Sequence, residues 1–343
     1  MSKNYFVTGG AGFIGSNFVA DLLKKNQNIV IFDNLSRKGS EHNIEWLHKQ
    51  FGNDAFQLIK GDIRNADQLE KAIGKPDVVA HFAAQVAVTT SVTNPREDFE
   101  INALGTFNVL EAIRKSGNQP AVLYTSTNKV YGGMEHVKVI ERDNDYTYAD
   151  YPLGISEEYP LDFHSPYGCS KGTGDQYMRD YYRIYQIPTI VFRQSAIYGI
   201  RQFGVEDQGW VSWFIIAVLT NKPITIYGNG KQVRDLLYID DVVRGYHAAI
   251  NNIDKSAGQI FNIGGGVDKK VSVWKQFGPI LEKLYGKEIP VKYGDWRPGD
   301  QVIYVSDIRK AKETLGWSPV ITPEEGITKL FNWSKENKNL FNN

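Results

Sequence analysis

A tyrosine and a lysine four residues apart, Tyr167 and Lys171, form the pattern in this sequence with the clearest chemical use. A separation of four places both side chains on one face of a helix. A free tyrosine has a pKa of about 10, too high for a base at neutral pH, but a neighbouring lysine cation favours the phenolate. Tyr167 is therefore a candidate general base for a hydroxyl group. Such a pair also arises by chance on solvated helix faces, so the hypothesis depends on its surroundings.

A second group of hydroxyl side chains occupies residues 124–132, where the chain leaves the fifth predicted strand. Ligands bind at the carboxyl ends of the strands in open parallel sheets. Ser126 and Thr127 could each hydrogen-bond a reacting oxygen there. From these residues alone, an ordinary Ser/Thr turn is the simpler interpretation.

Three glycines, Gly9, Gly12 and Gly15, follow the first predicted strand and open the first predicted helix. Their G-x-x-G-x-x-G spacing allows a tight turn, a close approach of the backbone to a pyrophosphate, and close packing of helix on strand. The helix N-terminus adds free N–H groups and a partial positive charge. The motif therefore predicts a dinucleotide site, with a flexible turn as the alternative.

Two acidic residues support the dinucleotide interpretation. Asp33 ends the second predicted strand, 18 residues after Gly15, where a carboxylate binds the adenosine ribose hydroxyls. Asp62 ends the third predicted strand and is a plausible adenine contact. Because Asp33 would repel a 2′-phosphate, we expect NAD rather than NADP, a preference that the nearby Arg37 and Lys38 weaken slightly.

Short apolar runs alternate with longer amphipathic segments through the first half of the chain. The predicted strands are residues 5–8, 29–33, 57–60, 78–83, 121–125 and 189–193. The predicted helices are residues 14–25, 42–51, 66–73, 95–116 and 166–185. This alternation predicts an α/β fold with a doubly wound, parallel Rossmann-type sheet.

The pattern becomes irregular after about residue 195, with Gly- and Pro-rich joints, although residues 259–263 again look like a buried strand. We expect residues 1–195 and about 234–264 to form the NAD-binding domain. Residues 196–233 and 265–343 are expected to form a smaller mixed α/β domain for the substrate.

The composition excludes several other classes of protein. Lys+Arg and Asp+Glu both number 39 in the 343 residues, so no overall charge attracts nucleic acid or an anionic membrane. Cys169 is the single cysteine, which excludes an internal disulfide and suits a reducing compartment. The sequence shows neither a signal peptide nor a membrane-length apolar run, so we expect a cytoplasmic protein. The six histidines lack metal-ligand spacing, and we expect no metal.

From Thr8 to a helix ending near Trp333, these motifs resemble the extended short-chain dehydrogenase/reductases, also called the NAD-dependent epimerase/dehydratase family. The resemblance makes Thr127 the catalytic hydroxyl, Tyr167 the acid and base, and Lys171 the residue that binds the nicotinamide ribose. The expected cofactor contacts are Gly9, Gly12, Phe13, Ile14, Gly15, Asp33, Asn34, Ser36, Arg37, Asp62, Ile63, Ala83, Ala84, Gln85, Asn102, Thr125, Tyr167 and Lys171.

The resemblance extends to the substrate side. Arg234, in residues 228–235, and Arg297, in residues 297–300, lie in segments similar to those whose arginines contact a substrate diphosphate in this family. Surface salt bridges are the alternative role for both. The expected substrate contacts are Thr89, Thr127, Asn128, Lys129, Ser195, Gln208, Arg234, Arg297 and Asp300.

Departures from the family pattern narrow the activity. The 4,6-dehydratases carry Asp-Glu after the catalytic threonine, whereas this chain has Asn128 and Lys129. Galactose-type 4-epimerases usually have an asparagine where this chain has Ala196. The runs at residues 32–39 and 161–171 instead resemble members that epimerise C2 of a CDP-linked sugar, by transient oxidation and hydride return to the opposite face.

Three alternatives remain at this point: another epimerase of a UDP- or CDP-sugar at C4 or C2, a reductase that releases its reduced cofactor, and a non-catalytic dinucleotide-binding protein. The helices at residues 95–116 and 166–185 resemble the pair that forms a four-helix dimer interface in this family. We therefore expect a homodimer or homotetramer that binds a nucleotide sugar, in the synthesis of O-antigen or other surface polysaccharide.

Overall fold

A seven-stranded parallel sheet forms the centre of the computed structural model, which describes residues 2–297 and 300–341. Its strands are β1 (Asn4–Thr8), β2 (Asn28–Asp33), β3 (Gln57–Lys60), β4 (Val78–His81), β5 (Ala121–Thr127), β6 (Thr189–Gln194) and β7 (Ile260–Ile263). They lie in the order β7-β6-β5-β4-β1-β2-β3, and every neighbouring pair is parallel. The predicted doubly wound α/β fold is confirmed.

Helices cover both faces of this sheet. They are α1 (Phe13–Lys24), α2 (Ser40–Phe51), α3 (Ala66–Ala72), α4 (Val88–Thr93), α5 (Pro95–Phe99), α6 (Gly105–Lys115), α7 (Ser165–Tyr185), α8 (Trp210–Leu219), α9 (Ile239–Asn251), α10 (Ile253–Ser256), α11 (Phe277–Tyr285), α12 (Arg309–Leu315) and α13 (Pro323–Glu336). One apolar core contains Phe18 of α1 and Tyr246 of α9, and the other contains Leu110 of α6 and Met178 of α7. The strands therefore bury both of their faces, which is why they appear in the sequence as short continuous apolar runs.

The predicted helix at residues 95–116 is interrupted. A π-helical turn, Glu100–Leu104, separates α5 from α6. Gly105 follows it, and a Cβ at this position would lie 2.6 Å from Cδ1 of Ile63. The close approach of this helix to the loop after β3 thus depends on glycine. Turns of this kind occur often at functional sites, and this one contains Asn102.

The remaining strands are short and form small sheets outside the central one. They are Val139–Glu141, Tyr146–Tyr148, Ile197–Tyr198, Ile224–Tyr227, Val233–Asp235, Leu237–Tyr238, Lys270–Ser272, Val291–Gly294 and Ile303–Tyr304. Strand β7 returns to the edge of the central sheet beside β6, as expected for residues 259–263. The division into two domains at the stated boundaries stays a prediction.

Helix α8 is apolar on nearly every side and is buried almost throughout. Its lack of an amphipathic period explains why the sequence pattern gave no clear helix there. In residues 2–297 and 300–341, no helix has both the length and the apolar character needed to cross a bilayer.

Candidate active site

The turn between β1 and α1 has the geometry of a phosphate-binding loop. Gly9 has a φ of +70°, and a Cβ there would overlap the backbone nitrogen of Ala83. A Cβ at Gly15 would overlap the carbonyl oxygen of Gly9. Helix α1 starts at Phe13 without a side-chain cap or an acidic residue in its first turn, so its N-terminal N–H groups remain donors for a phosphate.

A cavity opens in front of this loop, and most of the expected cofactor contacts line it. These residues are Gly9, Gly12, Phe13, Ile14, Gly15, Asp33, Asn34, Ser36, Arg37, Asp62, Ile63, Ala83 and Ala84. The other expected contacts, Gln85, Asn102, Thr125, Tyr167 and Lys171, lie outside this lining. The glycine cradle, the open helix N-terminus and a carboxylate at the end of β2 together fit a dinucleotide.

Asp33 is fixed at the mouth of the cavity by backbone groups. Its carboxylate accepts from the N–H of Leu35 at 2.8 Å and of Ala11 at 3.0 Å. Burial raises the pKa of Asp33, and these two hydrogen bonds oppose that shift. An ionised carboxylate has about four lone-pair sites, so it can still accept from the two hydroxyls of a ribose.

Asp62 lies on the same wall, although it follows β3 by two residues rather than ending it as predicted. Its carboxylate accepts from Asn34 Nδ2 at 3.0 Å and pairs with Arg64 at 2.7 Å. The hydrogen bonds from Arg64 hold the pKa of Asp62 at about 2. The side chain is thus an anion held in a fixed position beside Asn34.

The structure brings the three expected catalytic residues together. Thr127 is the last residue of β5, and its hydroxyl accepts from the N–H of Lys129 at 3.2 Å. Tyr167 lies in the first turn of α7, close enough to Thr127 for that side chain to affect its pKa. Its backbone N–H donates to Ser91 Oγ at 3.1 Å, which fixes the start of the helix. Lys171 follows one turn later and is almost fully buried.

The expectation that Lys171 favours the phenolate of Tyr167 stays a prediction, and burial acts against it. Burial raises the pKa of Tyr167 to about 12; the nearby Thr127 side chain opposes the shift and the charge of Asp98 adds to it. Burial also lowers the pKa of Lys171 to about 7, against the attraction of Asp98 and Asp175. The sequence shows the spacing of the pair but not the burial that governs both pKa values.

Ser126, the other candidate hydroxyl, points away from this group. Its Oγ donates to Asp175 Oδ2 at 2.8 Å, inside a buried ion pair between Asp175 and Arg193. The Arg193 guanidinium also donates to the Tyr131 hydroxyl at 3.1 Å. Of the two hydroxyls, the geometry therefore favours Thr127 for a role at the reacting oxygen.

Asp98 is a candidate functional residue that the sequence did not suggest. Its carboxylate is 1% exposed and accepts from Asn102 Nδ2 and Gln85 Nε2 at 3.1 Å each, as well as from Ser170 Oγ. Asn102 Oδ1 in turn accepts from the N–H of Gln85 at 2.9 Å. The expected cofactor contacts Gln85 and Asn102 are thus held in a network beside Lys171. In the sequence, Asp98 lies in a polar stretch that reads as a solvated helix surface.

On the substrate side, Asn128 and Arg234 contact the buried Gln301. Asn128 Nδ2 donates to Gln301 Oε1 at 3.0 Å, and Arg234 donates to the Gln301 carbonyl oxygen at 2.7 Å. Burial lowers the pKa of Lys129 to about 8, with the charge of Arg234 adding to the shift and that of Asp300 opposing it. Lys129 and Arg234 together make a basic wall next to Thr127. No motif in the sequence marked Gln301.

The other expected substrate contacts lie in different places. Arg297 is 3.3 Å from Asp207 Oδ1, with its guanidinium carbon 3.6 Å from the centre of the Tyr227 ring. Gln208 accepts from Arg37 and lines the cofactor cavity, so it lies on the cofactor side instead of the expected substrate side. Pro298 and Gly299, between Arg297 and Asp300, lie outside the described residues.

Ser195, Thr125 and Thr89 are three further hydroxyl residues that were expected to contact a ligand. Ser195 is 2% exposed and donates to Asp235 Oδ1 at 2.7 Å, so its hydroxyl is engaged inside the protein, and its expected contact with the substrate stays a prediction. Thr125 is buried and donates to the His81 carbonyl oxygen at 3.4 Å. The Thr89 hydroxyl is buried without a hydrogen-bond partner among residues 2–297 and 300–341.

Within the described part of the chain, no group of three or more His, Cys, Asp or Glu side chains could hold a metal ion. Cys169 is exposed on α7, between Tyr167 and Lys171.

Comparisons with known proteins agree over nearly the whole chain. Residues 6–330 match the family model described as GDP-mannose 4,6 dehydratase. The chain is 45% identical over 335 residues to CDP-paratose 2-epimerase of Salmonella typhi, covering 96% of this chain and 98% of that protein. It is 37% identical to a putative UDP-glucose 4-epimerase of Methanocaldococcus jannaschii, covering 96% and 98%.

A solved structure is similar over the same length. UDP-glucuronic acid 4-epimerase of Bacillus cereus, in complex with UDP-glucuronic acid and NAD, superposes with a TM-score of 0.82 at 31% identity, covering 97% of this chain and 99% of that one. The resemblance that residues 32–39 and 161–171 carry is confirmed by the first of these relatives.

Proposed function

The chain belongs to the GDP-mannose 4,6-dehydratase family of extended short-chain dehydrogenase/reductases, and on that premise we propose that it is an NAD-dependent epimerase of a nucleotide-linked sugar. The observation that carries the proposal is the close approach of the Thr127 and Tyr167 side chains, at the end of β5 and the start of α7, beside the glycine-loop cavity. It joins a proton-transfer group to a site that fits a dinucleotide. A non-catalytic binding protein would not need this pair.

The chemistry that NAD supplies when bound is reversible hydride transfer at a carbinol carbon. Tyr167 takes the proton of the sugar hydroxyl, and Thr127 hydrogen-bonds the same oxygen. The raised pKa of Tyr167 means that it needs a positive charge nearby before it acts as a base at neutral pH. The same tyrosine returns the proton once the carbonyl carbon has been reduced from its other face.

Holding the nucleotide while the sugar turns is the task of the basic wall. Lys129 and Arg234 lie next to Thr127 and provide charge for a diphosphate, which guanidinium groups bind well. We assign Arg297 the same role, because its guanidinium lies over the ring of Tyr227, where the strand Ile224–Tyr227 ends and leads into residues 228–235. A diphosphate anchored there leaves the sugar ring free to rotate about its glycosidic link.

For the substrate we propose CDP-paratose, converted at C2 to CDP-tyvelose for surface polysaccharide. The support is the 45% identity to CDP-paratose 2-epimerase, the Asn128 and Lys129 pair where dehydratases have acids, and Ala196 in place of the asparagine usual in galactose-type 4-epimerases. The alternative is another nucleotide-sugar epimerase, since the chain is also 37% identical to the putative UDP-glucose 4-epimerase and 31% identical to the UDP-glucuronic acid 4-epimerase.

The test is incubation of the purified protein with CDP-paratose and no added cofactor, with the sugar H2 signals followed by NMR. Appearance of the CDP-tyvelose pattern without net NADH supports both the carbon and a retained NAD. The matched arm uses UDP-glucose and UDP-glucuronic acid. Conversion of one of these at C4, with CDP-paratose unchanged, would move the substrate to the alternative; no conversion of any sugar by protein that holds NAD would contradict the epimerase proposal.

We propose a homodimer formed by α6 and α7. These helices pack on each other and expose apolar side chains to solvent, with Phe107 and Tyr177 in an edge-on ring contact at 5.6 Å. The exposed set on this face is Phe99, Leu104, Phe107, Tyr177, Ile184 and Tyr185. An apolar patch of this kind marks a protein contact.

A further inference from the structure

Arg201 is a buried cation on the wall of the cofactor cavity. It follows the short strand Ile197–Tyr198, is 9% exposed and has a φ of +67°. Its guanidinium carbon lies 4.2 Å from the centre of the Trp46 ring, on α2, and 5.4 Å from that of Trp333, on α13. The guanidinium thus contacts an aromatic ring from each of two helices.

This guanidinium has no anionic partner in residues 2–297 and 300–341, and its Nε is buried without a hydrogen-bond acceptor. The buried Arg193, by contrast, makes two hydrogen bonds to Asp175, at 2.9 and 3.0 Å. Burial of a charge without a partner is costly. Consistent with this, burial alone lowers the pKa of Arg201 to about 10.

The residues around Arg201 tie it to the phosphate-binding end of α1. Asn17 Nδ2 donates both to the Ile200 carbonyl oxygen at 3.0 Å and to that of Phe13 at 2.9 Å. From α2, Asn43 Nδ2 donates to the Ala11 carbonyl oxygen at 3.0 Å. Ile200, which precedes Arg201 in the chain, is therefore joined to α1, and α2, which carries Trp46, is joined to the glycine turn. The N–H groups at this end of α1 face the cavity.

We propose that Arg201 supplies a full positive charge to the diphosphate of the bound dinucleotide and so keeps the cofactor in place through turnover. This rests on the proposed function only in that the cavity takes NAD. The glycine loop offers partial charges and no basic side chain, and a diphosphate is the anion that both features fit. The Trp46 and Trp333 rings keep the guanidinium oriented before the ligand arrives.

The test measures affinity of cofactor-free protein for NAD, ADP-ribose and adenosine by calorimetry. In Arg201→Gln, we expect affinity for NAD and ADP-ribose to fall about 10- to 100-fold, the range for a hydrogen bond to a charged group. Affinity for adenosine, which has no phosphate, stays unchanged, and Arg201→Lys loses less. Arg96→Gln, which removes an 88% exposed arginine on α5, serves as the charge-matched control and leaves all three affinities unchanged.

The proposal is overturned if Arg201→Gln binds ADP-ribose like the wild type and only its melting temperature falls, since Arg201 would then be a packing residue. If the variant loses affinity for adenosine as well, its cavity has collapsed, and the proposal is then decided by an NMR measurement on the wild-type protein. With ¹⁵N-arginine labelling, the Arg201 Nε–H signal shifts with ADP-ribose and not with adenosine if the proposal holds, and shifts with neither if it fails. Failure to bind NAD by the wild type itself would instead contradict the proposed function.

Discussion

The ammonium group of Lys171 lies 4.4 Å from the centre of the Tyr124 ring, and the Tyr124 hydroxyl donates to the Lys171 carbonyl oxygen at 3.2 Å. This contact joins α7 to β5, the two elements that carry Tyr167 and Thr127. The hydroxyl fits because residue 174 is glycine, where a Cβ would overlap it. Lys171 is thus held against an aromatic face inside the protein.

The burial of Lys171 gives a pH dependence of stability. Its pKa is about 7 in the folded protein, below the ordinary lysine value, so between pH 7 and about 10 the unfolded chain binds more protons. Stability of the cofactor-free protein therefore rises with pH across that window. We expect Lys171→Met to have its largest gain in melting temperature over wild type at or below pH 7, and the gain to shrink toward pH 10.

Differential scanning fluorimetry from pH 6.5 to 10 measures this difference. Lys71→Met, an exposed lysine on α3, is the control and keeps a constant offset from wild type. Parallel curves for Lys171→Met and wild type would contradict the lowered pKa.

The choice between the two hydroxyls of β5 can be decided by turnover. We expect Thr127→Val and Tyr167→Phe each to lower kcat by about 10²- to 10⁴-fold, because each removes a group from the proton-transfer site. Ser126→Ala keeps most of its turnover, since the Ser126 hydroxyl donates to Asp175 and not to Tyr167. NMR assay of product, with NAD content measured for each variant, checks the assignment; a Thr127→Val enzyme as fast as wild type would contradict it.

Strands and the motifs at their ends were predictable because burial on both faces leaves short apolar runs, and a glycine spacing fixes the first turn. Tyr167 and Lys171 were found from their spacing on one helix, whereas Thr127 was chosen over Ser126 only through the resemblance to the family. Gln301 and Arg201 could not be predicted, since each reaches the site from a loop whose return depends on tertiary packing. The inward turn of the Ser195 hydroxyl to Asp235 could not be predicted either, because it depends on tertiary packing. The raised pKa of Tyr167 could not be predicted for a related reason, since burial has no local signal.

The ion pair between Arg193 and Asp175 lies within the same packed interior, with side chains 2% and 0% exposed. Removing one partner leaves an uncompensated buried charge, which costs about 3–5 kcal/mol. We expect Asp175→Asn to lower the free energy of unfolding by this amount in urea titrations. Glu325→Gln breaks an exposed pair with Lys329 and should cost about 1 kcal/mol or less. Equal losses for the two variants would show that burial does not matter here.

Lys129 gives the substrate site its own pH dependence. With a pKa of about 8, its side chain is charged below that pH and becomes neutral above it. Binding of CDP-glucose, as a stable ligand, should therefore weaken from pH 7.5 to 9.5, whereas binding of cytidine should not. In Lys129→Arg the decline disappears, because arginine stays charged across this range. Titrations that give cytidine and CDP-glucose the same pH slope would remove Lys129 from the diphosphate site.

The apolar face on α6 and α7 predicts a change of assembly that a single charge can produce. Ile184 is 63% exposed on α7, two helical turns after Tyr177, whose ring contacts that of Phe107. A carboxylate buried in an apolar contact is strongly unfavourable, so Ile184→Asp should convert the dimer to a monomer in light scattering after size exclusion. Val320 is also 63% exposed but lies off this face, and Val320→Asp should stay dimeric. A wild-type protein that is monomeric, or an Ile184→Asp variant of unchanged mass, would place the contact elsewhere.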